Sequence, residues 1–416
     1  MRMIKMPRVW QNRAFRYFFF GNGVSLFGFG IHFIAVAWIV LDRTGSEMAV
    51  AKLFTLAHLP GLVVALYGGV IIDRVNRKHL LIFLDLFRGV SVLSVPIAFW
   101  AGYDQLWIVY VMEFLVGTGH SIFWSSANAF VQEVVNEKNI MQANSFISAS
   151  YQTGSLAGSA AGGFFIAAFG PVAVLLLDSA TYFFSAIMLW QVDYTPTPTE
   201  SKTKTGWQNF RDGLSLIREK YSVFLYMFLV IMADVAIWGG MTILTVSYSN
   251  NILGTGAQGF GLMDGFYGLG ALIASWMVLT FFGRWQRSTI LLVCYGIAAI
   301  TTFLLPVMPL LKTAILLHFF MGLGNNSARI LTRTIFMEKI PNEYMGRATT
   351  VTNIYSRLMI ISMLSLVGWA IETGSVGLGY FINGLHFVIA FSGVLIVMFL
   401  KKNFFDVPHL VTEVRI

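Results

Sequence analysis

The hydrophobic positions of the chain form long continuous runs separated by short polar segments. About twelve runs reach the roughly 20 mainly apolar residues that an α-helix needs to cross a bilayer. A β-barrel would show short alternating segments instead. The first run lacks a small-residue cleavage site, which argues against a cleaved signal peptide. The pattern predicts an all-α integral membrane protein with 12 transmembrane helices, at 16–41, 49–72, 80–101, 105–131, 142–169, 172–192, 222–247, 259–283, 288–309, 313–335, 347–371 and 378–400.

One long polar interruption, residues 193–220, separates six runs from six. It begins with YTPTPTESKTKT, a composition typical of a flexible linker. It continues as WQNFRDGLSLIREKY, where apolar residues recur at spacings of three and four and predict an amphipathic helix on the inner membrane surface. We predict an N-terminal half at 1–192, a cytoplasmic linker at 193–221 and a C-terminal half at 222–416.

The composition supports a membrane protein. Only 12% of the residues are charged and 56% are hydrophobic, whereas soluble domains carry roughly 25% charged residues. The formal net charge of +8 follows the topology: the predicted outward loops hold only Arg43, Lys52 and Lys312, and the inward segments hold most of the other cations. This asymmetry is the positive-inside rule and places both termini in the cytoplasm. The charge therefore requires no nucleic acid, and a single cysteine, Cys294, excludes disulfides.

A short basic loop, GVIIDRVNRK, follows the second run. Its order G-x-x-x-D-R-x-x-R-K resembles the signature loop between helices 2 and 3 of major facilitator superfamily transporters, with asparagine where the family usually has a second glycine. The resemblance implies that Asp73 and Arg77 hold the two halves together on the cytoplasmic side and that Gly69 permits close helix approach. Arg74 and Lys78 complete the motif.

Asp85 and Arg88 follow this loop, three residues apart on one face of helix 3. We predict that they form a local ion pair supporting the loop.

The fifth run contains GSLAGSAAGG at residues 154–163. Small residues at this spacing favour close helix packing. The order also resembles the antiporter signature on helix 5 of exporters in the same superfamily, with Ser159 replacing a proline. The resemblance adds a conformational role in antiport for the four glycines: Gly154, Gly158, Gly162 and Gly163.

Two sequence patterns that recur at similar offsets indicate an internal duplication. Arg284 and Arg287 repeat Arg74 and Arg77 at an offset of 210, and the stretch from Glu338 repeats the stretch from Glu133 at an offset of 205. Similar offsets near half the chain length predict a parallel repeat, as the two halves of this superfamily are arranged.

Several ionisable side chains fall inside predicted spans, where an isolated charge costs at least about 2.5–3.5 kcal/mol at the helix centre. In the superfamily fold, helices 1, 4, 7 and 10 line a central cavity. His32, Glu113, Asp234 and Arg329 each fall on one of these helices. The resemblance therefore implies a cavity lined by His32, Glu113, Asp234, Asn325, Arg329 and Arg357.

Coupling to protons needs a group whose protonation differs between the two open states. We predict Asp234 and Glu113 as the main proton sites, with Asp264 and His32 ranked after them. Glu113 has an alternative role in a buried ion pair, and His32 an alternative role as hydrogen-bonded structure. The proton motive force is the only energy source expected, without a cofactor or metal.

The resemblance covers essentially the whole chain. QANSFISASYQ after helix 4 and GRATTV before helix 11 are most similar to the bacterial exporters that include macrolide-efflux proteins and the enterobactin exporter. This implies a secondary active transporter: a proton-coupled efflux antiporter for amphipathic molecules such as macrolide-like drugs. The alternatives are a siderophore or metallophore exporter and, after it, a sensor or scaffold without transport. The sequence contains no nucleophile–base pair or phosphate-binding loop, so we do not expect an enzyme.

The expected partners are a small-molecule substrate, protons and the lipid bilayer, with no nucleic acid. We expect a monomer in the bacterial cytoplasmic membrane.

Overall fold

The structure is a computed structural model that describes residues 8–72, 75–136, 139–195, 206–280 and 285–406. In these ranges the regular secondary structure is helical. The long helices have the following bounds: α1 (Arg13–Thr44), α2 (Glu47–Ile72), α3 (Arg77–Trp100), α4 (Leu106–Val134), α5 (Ile140–Phe169), α6 (Pro171–Trp190), α7 (Gly206–Glu219), α8 (Tyr221–Val235), α9 (Thr242–Ser247), α10 (Gly256–Thr280), α11 (Arg287–Leu304), α12 (Leu311–Lys339), α13 (Asn342–Thr373) and α14 (Val376–Leu400).

Ten helical segments in the described part of the chain are long and apolar enough to cross a membrane. α5 contributes a shorter apolar stretch, Thr153–Phe169. α12 is outside the ten, and it carries Asn325, Asn326 and Arg329 from its midpoint onward. The all-helical, membrane-spanning architecture predicted from the sequence is confirmed. The count of twelve spans and the cytoplasmic position of both termini stay predictions.

The seventh predicted run is one helical segment, Tyr221–Ile252, interrupted twice by π-helix. The first π-helix, Ala236–Met241, joins α8 to α9. The second, Tyr248–Ile252, follows α9. A π turn closes i→i+5 hydrogen bonds and so holds one residue more than an α turn. The whole segment ends at Ile252, five residues beyond the predicted end at 247.

The chain forms two compact units. Unit 1 comprises residues 1–206 and 255–265, and unit 2 comprises residues 207–254 and 266–416. The start of α10 thus belongs to unit 1 and the rest of it to unit 2. The predicted division at 1–192, 193–221 and 222–416 follows chain order and stays a prediction.

The predicted amphipathic helix is present as α7, and it packs within unit 2. Asp212 lies 4.0 Å from the guanidinium of Arg347 on α13. A Cβ on Gly213 would lie 2.8 Å from the carbonyl oxygen of Arg347 and 2.6 Å from the side chain of Val351. α7 is therefore seated directly on the start of α13. Residues 196–205 of the predicted linker lie outside the described ranges.

The glycines of α5 bring this helix into direct contact with α1 in unit 1. A Cβ on Gly158 would overlap the carbonyl oxygen of Phe27, and one on Gly154 would lie 2.9 Å from the Leu26 side chain. On α1, a Cβ on Gly30 would likewise overlap the backbone of Ser155. Gly163 faces the start of α10, where a Cβ would overlap the carbonyl oxygen of Ala257. The small-residue spacing thus corresponds to closely packed backbones.

Each unit contains one copy of an ion pair whose two members are repeated in the sequence. In unit 1, Arg77 on the first turn of α3 lies 2.5 Å from Glu133 near the end of α4. In unit 2, Arg287 on the first turn of α11 makes two contacts of 2.5 and 3.0 Å with Glu338 near the end of α12. The two recurring sequence patterns therefore supply the two members, arginine and glutamate, of one contact that is present in both units. Arg284 lies outside the described residues.

We expect Gly158→Ala to destabilise the protein by about 1–3 kcal/mol, because the added methyl group overpacks the α1–α5 contact. Gly23→Ala on α1 is the matched control, since no atom lies within 4 Å of a Cβ at that position. The control should be neutral or stabilising by up to roughly 1 kcal/mol, because alanine loses less backbone entropy than glycine in a helix. Thermal unfolding in detergent measures both, and equal stabilities would contradict the close contact.

Candidate functional site

A buried histidine connects three helices of unit 1. His32 on α1 is 2% exposed. Its Nε2 lies 2.9 Å from Oε2 of Glu113 on α4, and its Nδ1 lies 2.8 Å from Oδ2 of Asp178 on α6. Asp178 is fully buried and the Glu113 side chain is 7% exposed. We call these three residues the His32 triad.

Small residues in α1 permit this arrangement. A Cβ on Gly28, one helical turn before His32, would lie 2.6 Å from Oδ1 of Asp178 and would overlap the hydroxyl of Thr181. α6 therefore approaches α1 closely only because position 28 has no side chain. On α4, Gly117 has a similar role one turn after Glu113, because a Cβ there would overlap the carbonyl oxygen of Ala57 on α2.

A second buried ion pair lies beside the triad. Arg88 and Asp85 on α3 form the ion pair that their spacing predicts, and they are 3% and 0% exposed. The Arg88 guanidinium lies over the rings of Phe123 and Tyr182, with distances of 4.2 and 4.5 Å to the ring centroids. Arg88 also interacts electrostatically with Asp178, so the ion pair and the triad form one buried charged cluster.

The cluster contains more acidic than basic groups. Three carboxylates, from Asp85, Glu113 and Asp178, face Arg88 and His32. One negative charge remains in excess even when His32 is protonated. Burial of a net charge is costly, so the cluster favours retention of the His32 proton. Its geometry can hold and transfer a proton. Both ring nitrogens face carboxylates, which leaves neither free to bind a metal, and the described residues include no group of three or more metal-ligating side chains arranged for one.

The predicted cavity residues of unit 2 form a separate set. Asp234 on α8 interacts electrostatically with Arg329 on α12. Nδ2 of Asn325 lies 3.1 Å from the hydroxyl of Tyr267, to which it donates a hydrogen bond. Arg357 on α13 is partly buried and has no ion-pair partner among the described residues. The structure thus couples Asp234 to Arg329 electrostatically in unit 2 and brings His32 into contact with Glu113 in unit 1. The cavity itself stays a prediction.

Asp264 is placed by the start of α10, which belongs to unit 1. Its carboxylate makes a side-chain hydrogen bond with Ser159 on α5. Ser159 occupies the position at which the resembling motif has a proline, and α5 continues as a helix through it. This contact ties Asp264 to the glycine series and separates it from the His32 triad.

The basic loop is described in part. Gly69 lies in the last turns of α2, whereas Asp73 and Arg74 lie outside the described residues, so their predicted roles stay predictions. Lys78 donates hydrogen bonds to the carbonyl oxygens of Trp190 and Val192, at 3.0 and 2.7 Å. The loop is therefore fastened to the end of α6.

The Arg77–Glu133 ion pair has a further partner in Tyr194, whose hydroxyl donates to the Glu133 carboxylate. Burial and the neighbouring Glu133 carboxylate raise the pKa of Tyr194 above its ordinary value. The hydroxyl therefore remains a hydrogen-bond donor at neutral pH.

Asp178 was missing from the residues predicted from the sequence. It is the only charged residue in the run PVAVLLLDSATYFFSAIMLW, and ionisable residues inside a membrane span are functional candidates by default. That rule, applied to every span, would have found it. Its contact with His32 follows from tertiary packing and has no local signal.

Comparison with known proteins gives a consistent assignment. Residues 18–364 match the Major Facilitator Superfamily. The chain is 21% identical over 337 residues to the putative bacilysin exporter BacE of Bacillus amyloliquefaciens, covering 81% of this chain and 83% of that protein. It is 22% identical over 360 residues to macrolide efflux protein A of Streptococcus pyogenes, covering 83% of this chain and 86% of that protein.

Among solved structures, the fold is similar to that of a mutant of the nucleoside transporter NupG, with a TM-score of 0.72 and 9% identity over 91% of this chain and 99% of that one. These proteins are membrane transporters, which confirms the expectation of a transporter and not an enzyme. The predicted resemblance to bacterial exporters of the macrolide-efflux kind is confirmed as well.

A double-mutant cycle tests the His32–Glu113 contact. We expect a coupling free energy of about 1.5–3 kcal/mol between His32→Gln and Glu113→Gln, the size of a hydrogen bond to a charged group. His318→Gln is the control, because His318 is also buried on a long helix, but its Nδ1 lies 2.8 Å from the carbonyl oxygen of Ala314 on the same helix. With Glu113→Gln it should be additive within about 0.3–0.5 kcal/mol. Unfolding in detergent measures each variant, and an additive His32–Glu113 cycle would argue against the contact.

Proposed function

The chain belongs to the Major Facilitator Superfamily, and on this basis we propose that it is a secondary active transporter that exports amphipathic small molecules, such as macrolide-like drugs, in exchange for protons. Export is supported by the relatives, since one is named as a macrolide efflux protein and another as a putative exporter of bacilysin. Bacterial relatives favour the cell membrane as its location.

The observation that carries proton coupling is the His32 triad. Three ionisable groups on α1, α4 and α6 lie in direct contact, almost without exposure to solvent. Intramembrane ionisable residues are costly and mark proton relays. The contact with His32 supports both roles expected for Glu113, a buried ion pair and a proton site. Moving one proton through the membrane field supplies about 2.3 kcal/mol per 100 mV, which is the energy source of the proposed export.

Asp234 remains the principal proton site that we propose for unit 2. It interacts electrostatically with Arg329. Protonation of Asp234 therefore removes the negative charge that compensates this arginine, which lies on a helix that lines the cavity in this fold. Asp264 ranks after it, because its carboxylate is engaged by Ser159 at the glycine series. We retain for the loop motif the role of stabilising one conformation, separate from substrate binding.

A siderophore or metallophore is the second candidate substrate. It is favoured by Arg357, which is partly buried without an ion-pair partner among the described residues. A cation in that state suits an anionic substrate. Drug export ranks first because aromatic side chains, 15% of the chain, and 19 methionines suit an adaptable apolar site.

Asp234→Asn should abolish export driven by a proton gradient and leave expression and folding intact, because asparagine keeps the shape of the side chain but cannot exchange a proton. Asp104→Asn is the matched control, since the Asp104 side chain is 67% exposed and lies outside the helices. Drug efflux from cells or proteoliposomes with an imposed pH gradient measures both variants. Normal export by Asp234→Asn would remove Asp234 from the proton sites.

Substrate class is tested by the thermal unfolding of the purified protein with macrolides, other lipophilic drugs and iron-free siderophores. A ligand at about 100 times its dissociation constant adds about 2.7 kcal/mol of stability. We expect stabilisation by lipophilic drugs that differs between acidic and alkaline buffer. Stabilisation by siderophores alone would support the second candidate and direct substitutions to Arg329 and Arg357.

A further inference from the structure

The contacts of the His32 triad set a minimum number of protons. The Nε2–Glu113 contact at 2.9 Å has hydrogen-bond geometry, whereas the Nδ1–Asp178 contact at 2.8 Å is an ion-pair distance without that geometry. At either distance a ring nitrogen that carries no proton would bring its lone pair against a carboxylate oxygen, and this contact is repulsive. Two such contacts need two protons. A neutral imidazole carries only one N–H, and ionised carboxylates carry none. The triad therefore keeps both contacts only while it holds two protons, which is one more than a neutral imidazole with two ionised carboxylates.

From this count we infer that the His32 triad is a proton-dependent fastening within unit 1: loss of one proton breaks either the His32–Glu113 or the His32–Asp178 contact and loosens α1 from α4 or α6. The proton leaves a ring nitrogen of His32 or a carboxylic acid of the triad for water. The charge of the triad changes from −1 to −2, and the unprotonated contact then becomes repulsive. Asp178 thereby becomes part of the proton site.

The other groups facing His32 reinforce this behaviour. α3 contributes the Asp85–Arg88 ion pair, which is neutral as a unit, and α6 contributes Tyr182 beside Arg88. The sequence of α5 contains no acidic or basic residue, and α2 carries His58 next to Ala57, the residue that packs against Gly117. On α4, His120 stacks on the ring of Phe29 of α1, and His32 is the base that lies in direct contact with Glu113.

In unit 2, the two positions that correspond to Glu113 and Asp178 hold no carboxylate. The offset of 205 that relates Glu133 to Glu338 also relates Glu113 to His318 and Asp178 to Asn383. Asn383 is fully buried, and a Cβ on Gly240 would overlap its Oδ1, as a Cβ on Gly28 would approach Oδ1 of Asp178. The acids are replaced by a neutral amide and a histidine, so this position in unit 2 has no carboxylate to lose its pairing. At this repeated position, the proton-dependent change is therefore a property of unit 1, separate from the proton site proposed at Asp234.

Hydrogen–deuterium exchange of the full-length protein in detergent at about pH 6 and about pH 8 tests the inference, because the deprotonated population of the triad grows with pH across this interval. The reference within the same molecule is α12 around His318, which corrects for the intrinsic pH dependence of exchange. Relative to it, we expect the α1 peptides around His32 to exchange at least about tenfold faster at the higher pH, because loss of one proton shifts an equilibrium by up to tenfold per pH unit.

Two variants should abolish this pH dependence. In Asp178→Asn and in Glu113→Gln, the amide can donate to or accept from the imidazole nitrogen, so a neutral His32 keeps both contacts. Asp104→Asn, on the exposed loop, should behave as the wild type. A flat wild-type profile, or an unchanged pH dependence in both triad variants, would overturn the inference.

The use of this proton in export rests on the proposed function, and a parallel efflux assay separates the two. Proton-driven export with a flat exchange profile would overturn the fastening and leave the proposed function standing. A pH-dependent profile in a protein that exports without a proton gradient would do the reverse.

Discussion

The need to pair every ionised group that is withdrawn from water governs unit 1. His32 meets this need for two acids at once, because a single imidazole presents its two nitrogens to Glu113 and to Asp178. The arrangement requires α6 to approach α1 closely, which Gly28 permits. It also places the Asp85–Arg88 ion pair within electrostatic reach of Asp178. Removal of one partner from such a buried pair typically costs about 3–5 kcal/mol, so the chemistry and the packing of this unit depend on the same few atoms.

The two units preserve one contact of the repeat and differ in another. Arg77–Glu133 and Arg287–Glu338 join corresponding helix ends, where partial exposure tolerates charge on both sides of the repeat. The buried positions have diverged: Asp178 corresponds to Asn383, and Glu113 corresponds to His318. A buried acid must have a nearby cation, whereas a buried amide needs none. Loss of the acids from the copy in unit 2 therefore removes this costly requirement there.

Much of the architecture could be predicted because its signals are local. Hydropathy located the helices, and the three-residue spacing of Asp85 and Arg88 predicted their ion pair. The site was predictable only in part: His32 and Glu113 were identified as membrane-buried groups, but their contact joins residues 81 apart in sequence, and Asp178 is further still from His32. Long-range contacts of this kind depend on how helices pack. The π-helices of residues 221–252 also lack a hydropathy signal, because one extra residue in an apolar helix leaves the helix apolar.

The π-helix at Ala236–Met241 bears on the ancestry of the chain. The offsets of 205 and 210 place the counterpart of His32 at residues 237–242, where the regular helical register is interrupted. A residue inserted into an α-helix can be absorbed as a π turn, so this site is where an insertion after the duplication would leave its mark. Because the π turn takes up the extra residue, the side chains that follow it keep their faces, and the change is confined to the turn itself. The two descendants of one ancestral helix would then differ in the residues that they present at this turn, where one copy carries His32 and the other carries the glycine-containing segment AIWGGM.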